Sequence, residues 1–296
     1  MNLGWLSDLY RTYESYEALS GKVTDGAILL PIAHSTQNAQ IDIMIDENGN
    51  FISARRVDKS DAVTVIPVTE GSQNRTGNNA PHPLCDKLEY IAGDYRVYTG
   101  YDNTDEFTAY QNLLGAWAKS DYSCAKVNAV YKYICRQTVM KDLVDEKILS
   151  VENGKLTDEK IAGIDQKSAF VRFSVEKIGD TTPEVYKSKE VYESYIAYVQ
   201  NQQGKNDLCY ATGRIIPCAN KHPSKIRNTG DKAKLISSDD TSGFTYRGRF
   251  SDSTQVARVG YDTSQKAHNA LRWLVEKQGF RIAEQAVVAW EIGGND

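Results

Sequence analysis

Histidine is scarce in this chain of 296 residues: His34, His82, His222 and His268 are all there is, which leaves little for general acid and base chemistry. The five cysteines, Cys85, Cys124, Cys135, Cys209 and Cys218, are odd in number and widely scattered. That pattern argues for free thiols and against a disulfide framework. No apolar run approaches the ~20 residues that cross a bilayer, and the N-terminus lacks a basic segment followed by an apolar core. A cytoplasmic protein with no membrane partner is expected. A Walker loop, a Gly-rich dinucleotide turn, His-Glu-x-x-His, a nucleophile elbow and paired His-Asp metal motifs are also missing. Without a convergent catalytic set, the chain is expected not to be an enzyme and to need no cofactor.

What is present is ordinary globular material, 41% hydrophobic and 25% charged, long enough for one large or two ordinary domains. The net charge of -4 hides an asymmetry. Between Arg214 and Arg281 there are 13 basic and 6 acidic residues, a local balance of +7 against -11 for the remainder. A positive segment on an acidic body is an electrostatic footprint for a polyanion, although a helix with solvated lysines produces the same count.

The pattern predicts an amphipathic helix over residues 3–19, from Trp5, Leu6, Leu9, Tyr13, Tyr16 and Leu19, and a strand over Ala27 to Ile32. His34 beyond it reads as a hydrogen-bonded or capping histidine. Ile41, Ile43 and Ile45 alternate with polar residues, Glu47-Asn48-Gly49-Asn50 supplies a turn, and Phe51 to Val57 returns as a β-hairpin. With Val63 to Val68 it makes a three-stranded antiparallel meander. Two helices follow over residues 105–139, a charged irregular stretch over 140–165, a strand from Ala169 to Val175, and a Tyr-rich helix from Glu190 to Val199. The fold class is α+β, an antiparallel meander with packed helices followed by a smaller α/β module. The boundary lies in the polar run Gln200 to Asn206, giving domains 1–205 and 206–296.

Gly71 to Pro83 holds almost nothing to bury, yet it is rich in planar and forked hydrogen-bonding groups: Gln73, Asn74, Arg75, Thr76, Asn78, Asn79 and His82. Composition alone reads such a stretch as a solvated loop. Bidentate amides and guanidinium groups are also what base edges in a DNA groove require, whereas a metal or acyl-transfer site wants carboxylates, thiolates or a nucleophile with its base.

The second module opens with a hairpin over Leu208 to Cys218 turning at Thr212-Gly213. Cys209, Cys218 and His222 suggest zinc, but three ligands do not make a structural site, and Thr212 occupies the Cys-x-x-Cys partner position. A zinc-finger-like hairpin without metal is expected. Lys221, Lys225, Arg227, Lys232 and Lys234 follow, then Arg247 and Arg249 in Tyr-Arg-Gly-Arg-Phe. Alternate arginines beside glycine suit a phosphate backbone, so Lys221, Lys225, Arg227, Arg247 and Arg249 are the expected phosphate contacts. A helix over Ser264 to Gln278 and a buried strand over Val287 to Trp290 complete the chain.

Leu29 to Ser35 (LLPIAHS), the run from Pro67 to Tyr90 with its PVTE, NRTG and PHPL-x-DKL pieces, Leu208 to Gly213 (LCYATG), Ala233 to Ser237, Gly243 to Phe250 and Gly260 to Leu271 resemble, in the same order, the large subunit of type I-C CRISPR surveillance (Cascade) complexes. Members of that family are about twice this length, so the chain resembles an N-terminal portion. The resemblance implies a subunit that recognises the PAM in double-stranded target DNA, helps to separate its strands and recruits a nuclease-helicase in antiviral defence. Its implied partners are guide RNA, the backbone and RNA-processing subunits, and phage anti-CRISPR proteins. Gln73 to Asn79 with His82 would then be the reader. Two other readings stand beside it: a carboxylate-metal nuclease using Asp239 and Asp240, and a protein-interaction scaffold without DNA contact.

Overall fold

The computed structural model describes residues 4–73, 75, 79–203, 206–228, 231, 234–236 and 258–292. The chain divides into two compact units, His34–Gln200 and a terminal unit made of Met1–Ala33 together with Asn201–Asp296. One crossing falls close to the boundary expected at 205. The other, at residue 33, has no counterpart in the sequence reading, because an apolar helix stripe does not say which distant element covers it. Helix α1 (Trp5–Tyr16) buries Leu9 and Tyr13 on the face their spacing predicts, and it belongs to the terminal unit.

Within His34–Gln200, strands β1 (His34–Asn38), β2 (Ile41–Asp46), β3 (Phe51–Arg56) and β4 (Val63–Pro67) come first. The β2–β3 hairpin forms as the alternation predicts. Its turn is closed by Asp46, whose Oδ1 accepts the Asn48 and Asn50 N–H groups at 2.8 Å each, with Gly49 at φ 73°. Helices α2 (Thr104–Ala118) and α3 (Ala125–Ile134) follow, then β5 (Val171–Glu176) and α4 (Lys189–Asn201). Trp117 on α2 is fully buried against Tyr195 and Tyr198 of α4, its indole N–H donating to Ser194 Oγ at 3.0 Å. His34 is buried between Tyr192 and Tyr195. Residues 140–165, expected to be irregular, continue helix Val139–Asp145 and add two two-stranded hairpins.

The α+β class is observed, but β4 does not join the hairpin. It pairs antiparallel with β1, from His34↔Pro67 to Asn38↔Val63. The third strand of the β2–β3 sheet is β5, parallel to β2 in register Val171↔Ile41 through Glu176↔Asp46. The reason lies in the polar positions of β2. Ile41, Ile43 and Ile45 are fully buried, and Asp42 on the opposite face is buried too, at 4% exposure. Asp42 Oδ2 accepts from Arg172 Nε at 3.2 Å and Arg55 Nη2 at 2.8 Å, while Oδ1 accepts from Ser174 Oγ at 3.0 Å. Arg172 is itself buried. It reaches Asp61 Oδ2 at 2.6 Å and lies 4.1 Å from the centre of the Tyr186 ring. A row of mutually satisfied charges lets an alternating strand sit centrally, covered on both sides.

In the terminal unit, β6 (Asn206–Leu208) and β7 (Ile215–Pro217) form the expected hairpin, with Gly213 at φ 69° in the turn. Helix α5 (Tyr261–Gln278) supplies Ala267, Ala270, Trp273 and Leu274 to a core with Leu9, Tyr13, Ala27 and Leu29. Lys266 pins α1 to α5, held by Glu14 and, at 3.2 Å, Glu17. The predicted strand over Ala27–Ile32 shrinks to Ala27–Ile28, paired with Val23–Thr24. Similarly, Val287–Trp290 is no buried strand. The strand is β9 (Gln285–Val287), in an exposed hairpin with β8 (Phe280–Ile282), and Val288 and Trp290 reach the core beyond it.

Candidate nucleic-acid interface

Strand β4 stops at Pro67, and two residues later the chain folds on itself. Thr69 Oγ1 accepts the Ser72 N–H and Ser72 Oγ accepts the Thr69 N–H, each at 3.0 Å, which caps one short turn of helix, Glu70–Gln73. Ser72 is buried there, and Gln73 at the end of the turn is half-buried. The Arg75 N–H donates to Ser72 O at 3.2 Å, so the backbone on the strand side of the loop is held as far as Arg75.

The far side is locked more deeply. Leu84 and Cys85 are buried, and Tyr110 on α2 donates its hydroxyl to Leu84 O at 2.7 Å. Val171 of β5 donates to Asp86 O at 2.9 Å, and Leu88 N–H to Ala169 O at 3.0 Å. His82 is buried with its ring 6.2 Å from that of Phe170. Burial pushes the Cys85 thiol up to about 12, which marks it as an inert packing residue.

Of the seven predicted readers, Asn74, Thr76 and Asn78 lie outside the described residues. Asn79 is exposed. Arg75 is not: its side chain is 15% exposed and forks onto Asp86, Nη1 to Oδ2 at 2.8 Å and Nη2 to Oδ1 at 2.9 Å. Burial opposes its charge, but the Asp86 hydrogen bonds and charge outweigh it and hold the guanidinium above its ordinary value. Asp86 is absent from the sequence-based list. The available signal was a carboxylate directly after the apolar pair Leu84-Cys85, where burial demands a counter-ion.

Of the predicted phosphate contacts, Arg247 and Arg249 lie outside the described residues, as do Lys232, Asp239 and Asp240. Lys221 is half-buried. Lys225 sits at φ 61° and its pKa is lowered, by burial first and then by the Arg272 charge. Arg227 is engaged, forking onto Asp231 at 2.7 and 3.1 Å and donating to Glu284 O at 2.6 Å. Arg281 donates to Arg227 O at 2.7 Å, so the two guanidinium groups line one shallow pocket beside Asp231 and Glu284.

The zinc-finger-like hairpin has its own internal bonding. Cys209 Sγ accepts the Gly260 N–H at 3.2 Å. Burial raises its pKa, but bonds from Thr212, Gly260 and Ala211 prevail and lower it. His222 Nδ1 lies 2.8 Å from Ser264 Oγ. Among the described residues no three His, Cys, Asp or Glu side chains are grouped to hold a metal ion, and no helix is long and apolar enough to cross a membrane.

A search of curated proteins gives no match to this chain. The family model described as CRISPR-associated protein (Cas_Csd1) matches residues 9–296. That match takes in all but the first eight residues, and the chain belongs to the CRISPR-associated Cas_Csd1 family.

Proposed function

We propose that this chain acts as the large subunit of a type I-C CRISPR surveillance complex and recognises the PAM in double-stranded target DNA without catalysing a reaction. The observation that carries the reading is the loop between Gln73 and His82. It rises from capped and hydrogen-bonded ends and leaves Asn79 open to solvent, in a chain of the CRISPR-associated family. Amide side chains on a loop with fixed ends suit hydrogen bonds to base edges. Asn79 and Gln73, with Asn74, Thr76 and Asn78, form the reading set. Arg75 and His82 leave it, since one is committed to a carboxylate and the other is buried.

The basic segment supplies affinity without sequence information, through Lys221, Lys225, Arg247 and Arg249. In the same reading the chain works in the cytoplasm beside guide RNA and the other Cascade subunits, assists strand separation and recruits the nuclease-helicase.

The test is a titration of the chain, with and without its neighbouring subunits, against a PAM library and scrambled duplex at two salt concentrations. Asn79→Ala should narrow the gap between PAM and scrambled duplex by about 1 to 3 kcal/mol, the worth of one bidentate base contact. Equal discrimination by the parent and the variant removes the loop from the account.

A further inference from the structure

Three of the bonds to the Asp86 carboxylate come from the two ends of the loop. From the strand side, Arg75 delivers two parallel N–H bonds at 2.8 and 2.9 Å. From the far side, the His82 N–H reaches Oδ2 at 2.8 Å, and the Lys87 N–H completes the set at Oδ1, also at 2.8 Å. The carboxylate is fully buried. Arg75 Nη1 also donates to Ala80 O at 3.3 Å, and the guanidinium lies 4.4 Å from the centre of the Tyr90 ring.

We infer that Arg75 is a positioning residue: with Asp86 it forms a clasp that ties Arg75 to His82 and sets where Asn79 is presented, so base discrimination depends on it although it meets no base. The inference rests on the reading of this loop as the PAM reader, but the clasp is a property of the free chain. Its chemistry is specific. A planar fork fixes direction as well as distance and stacks on an aromatic face, which a lysine ammonium does not do. Because both partners are shielded from water, the clasp resists salt, unlike contacts to phosphate. Raising ionic strength should therefore weaken binding while leaving the preference for one sequence over another in place.

The experiment uses two variants of the full chain, Arg75→Lys and the double variant Arg75→Gln/Asp86→Asn, which avoids leaving a lone buried charge. Hydrogen exchange across 71–83 in the free chain should speed up by about tenfold while β2 and β5 stay protected. Discrimination between PAM and scrambled duplex should fall by about tenfold at an unchanged salt slope. Unchanged exchange in both variants overturns the clasp. Faster exchange with discrimination intact overturns the positioning role, and so does a salt slope shallower by about 0.9, which would put Arg75 on a phosphate. If the parent itself does not discriminate, the PAM reading fails and exchange alone decides the clasp.

Discussion

Arg172→Met tests the claim that a compensated polar row, and not a solvent face, makes β2 a central strand. The substitution keeps the stem and much of the volume but removes the Arg172 contacts to Asp42 and Asp61. Removing one partner of a buried pair costs about 3 to 5 kcal/mol, because the other charge is left without compensation. The structure argues for the lower end. Asp42 keeps Arg55 at 2.8 Å and Ser174 at 3.0 Å, and Asp61, 48% exposed, returns to water. With a urea m-value of about 1 to 3 kcal/mol per molar, a loss of about 3 kcal/mol moves the midpoint down by roughly 1 to 3 M. Trp117 is the only tryptophan between His34 and Gln200, so its fluorescence reports this unit once Trp5, Trp273 and Trp290 are replaced by phenylalanine. A shift worth less than about 1 kcal/mol would show the row to be dispensable. The double variant Asp42→Leu/Arg172→Met should then be more stable than the single one, since it leaves no buried carboxylate that has lost its buried counter-ion.

Three further outcomes are expected. Tyr110→Phe removes the hydroxyl that holds Leu84 O and should cost about 1 kcal/mol in the same urea assay, with local hydrogen exchange rising first near residues 84–88. Gly49→Ala places a methyl 2.7 Å from the Tyr133 backbone nitrogen at φ 73°, so it should destabilise the unit by roughly 1 to 3 kcal/mol; a neutral result would mean the hairpin turn does not press on α3. His268 is buried, and burial lowers its pKa from 6.5 against a smaller opposing bond to Ser264 O. The folded state then binds fewer protons than the unfolded one, so the terminal unit should lose stability as pH falls below about 6.5, at up to ~1.4 kcal/mol per pH unit, until the folded pKa is passed. His268→Gln should flatten that dependence between pH 7 and 5, and an unchanged slope would assign it to another group.

Local elements were legible wherever apolar spacing and turn chemistry agreed. The isoleucines of β2 with the Asn-Gly turn, the stripe of α2 and the 206–217 hairpin all form where the pattern places them. Pairing was not legible, because the alternation of β2 implies one wet face, and only Arg172, 130 positions away, reveals that Asp42 is dry. The partners of the loop side chains were not legible for the same reason. Arg75 and Asn79 are both polar and both in the loop, and composition cannot tell a side chain spent on an internal carboxylate from one left open. Asp86 makes that distinction, and its burial is a tertiary fact.

The division of the terminal unit has a consequence for how this polypeptide is made. Helix α1 leaves the ribosome well before the residues that cover Leu9 and Tyr13, from Ala267 to Leu274, are translated. At about 5 to 20 residues per second the uncovered stripe waits for roughly 8 to 33 s while His34–Gln200 is synthesised. The nascent protein thus carries an uncovered amphipathic helix while His34–Gln200 is made, and chaperone holding of that helix should raise its soluble yield.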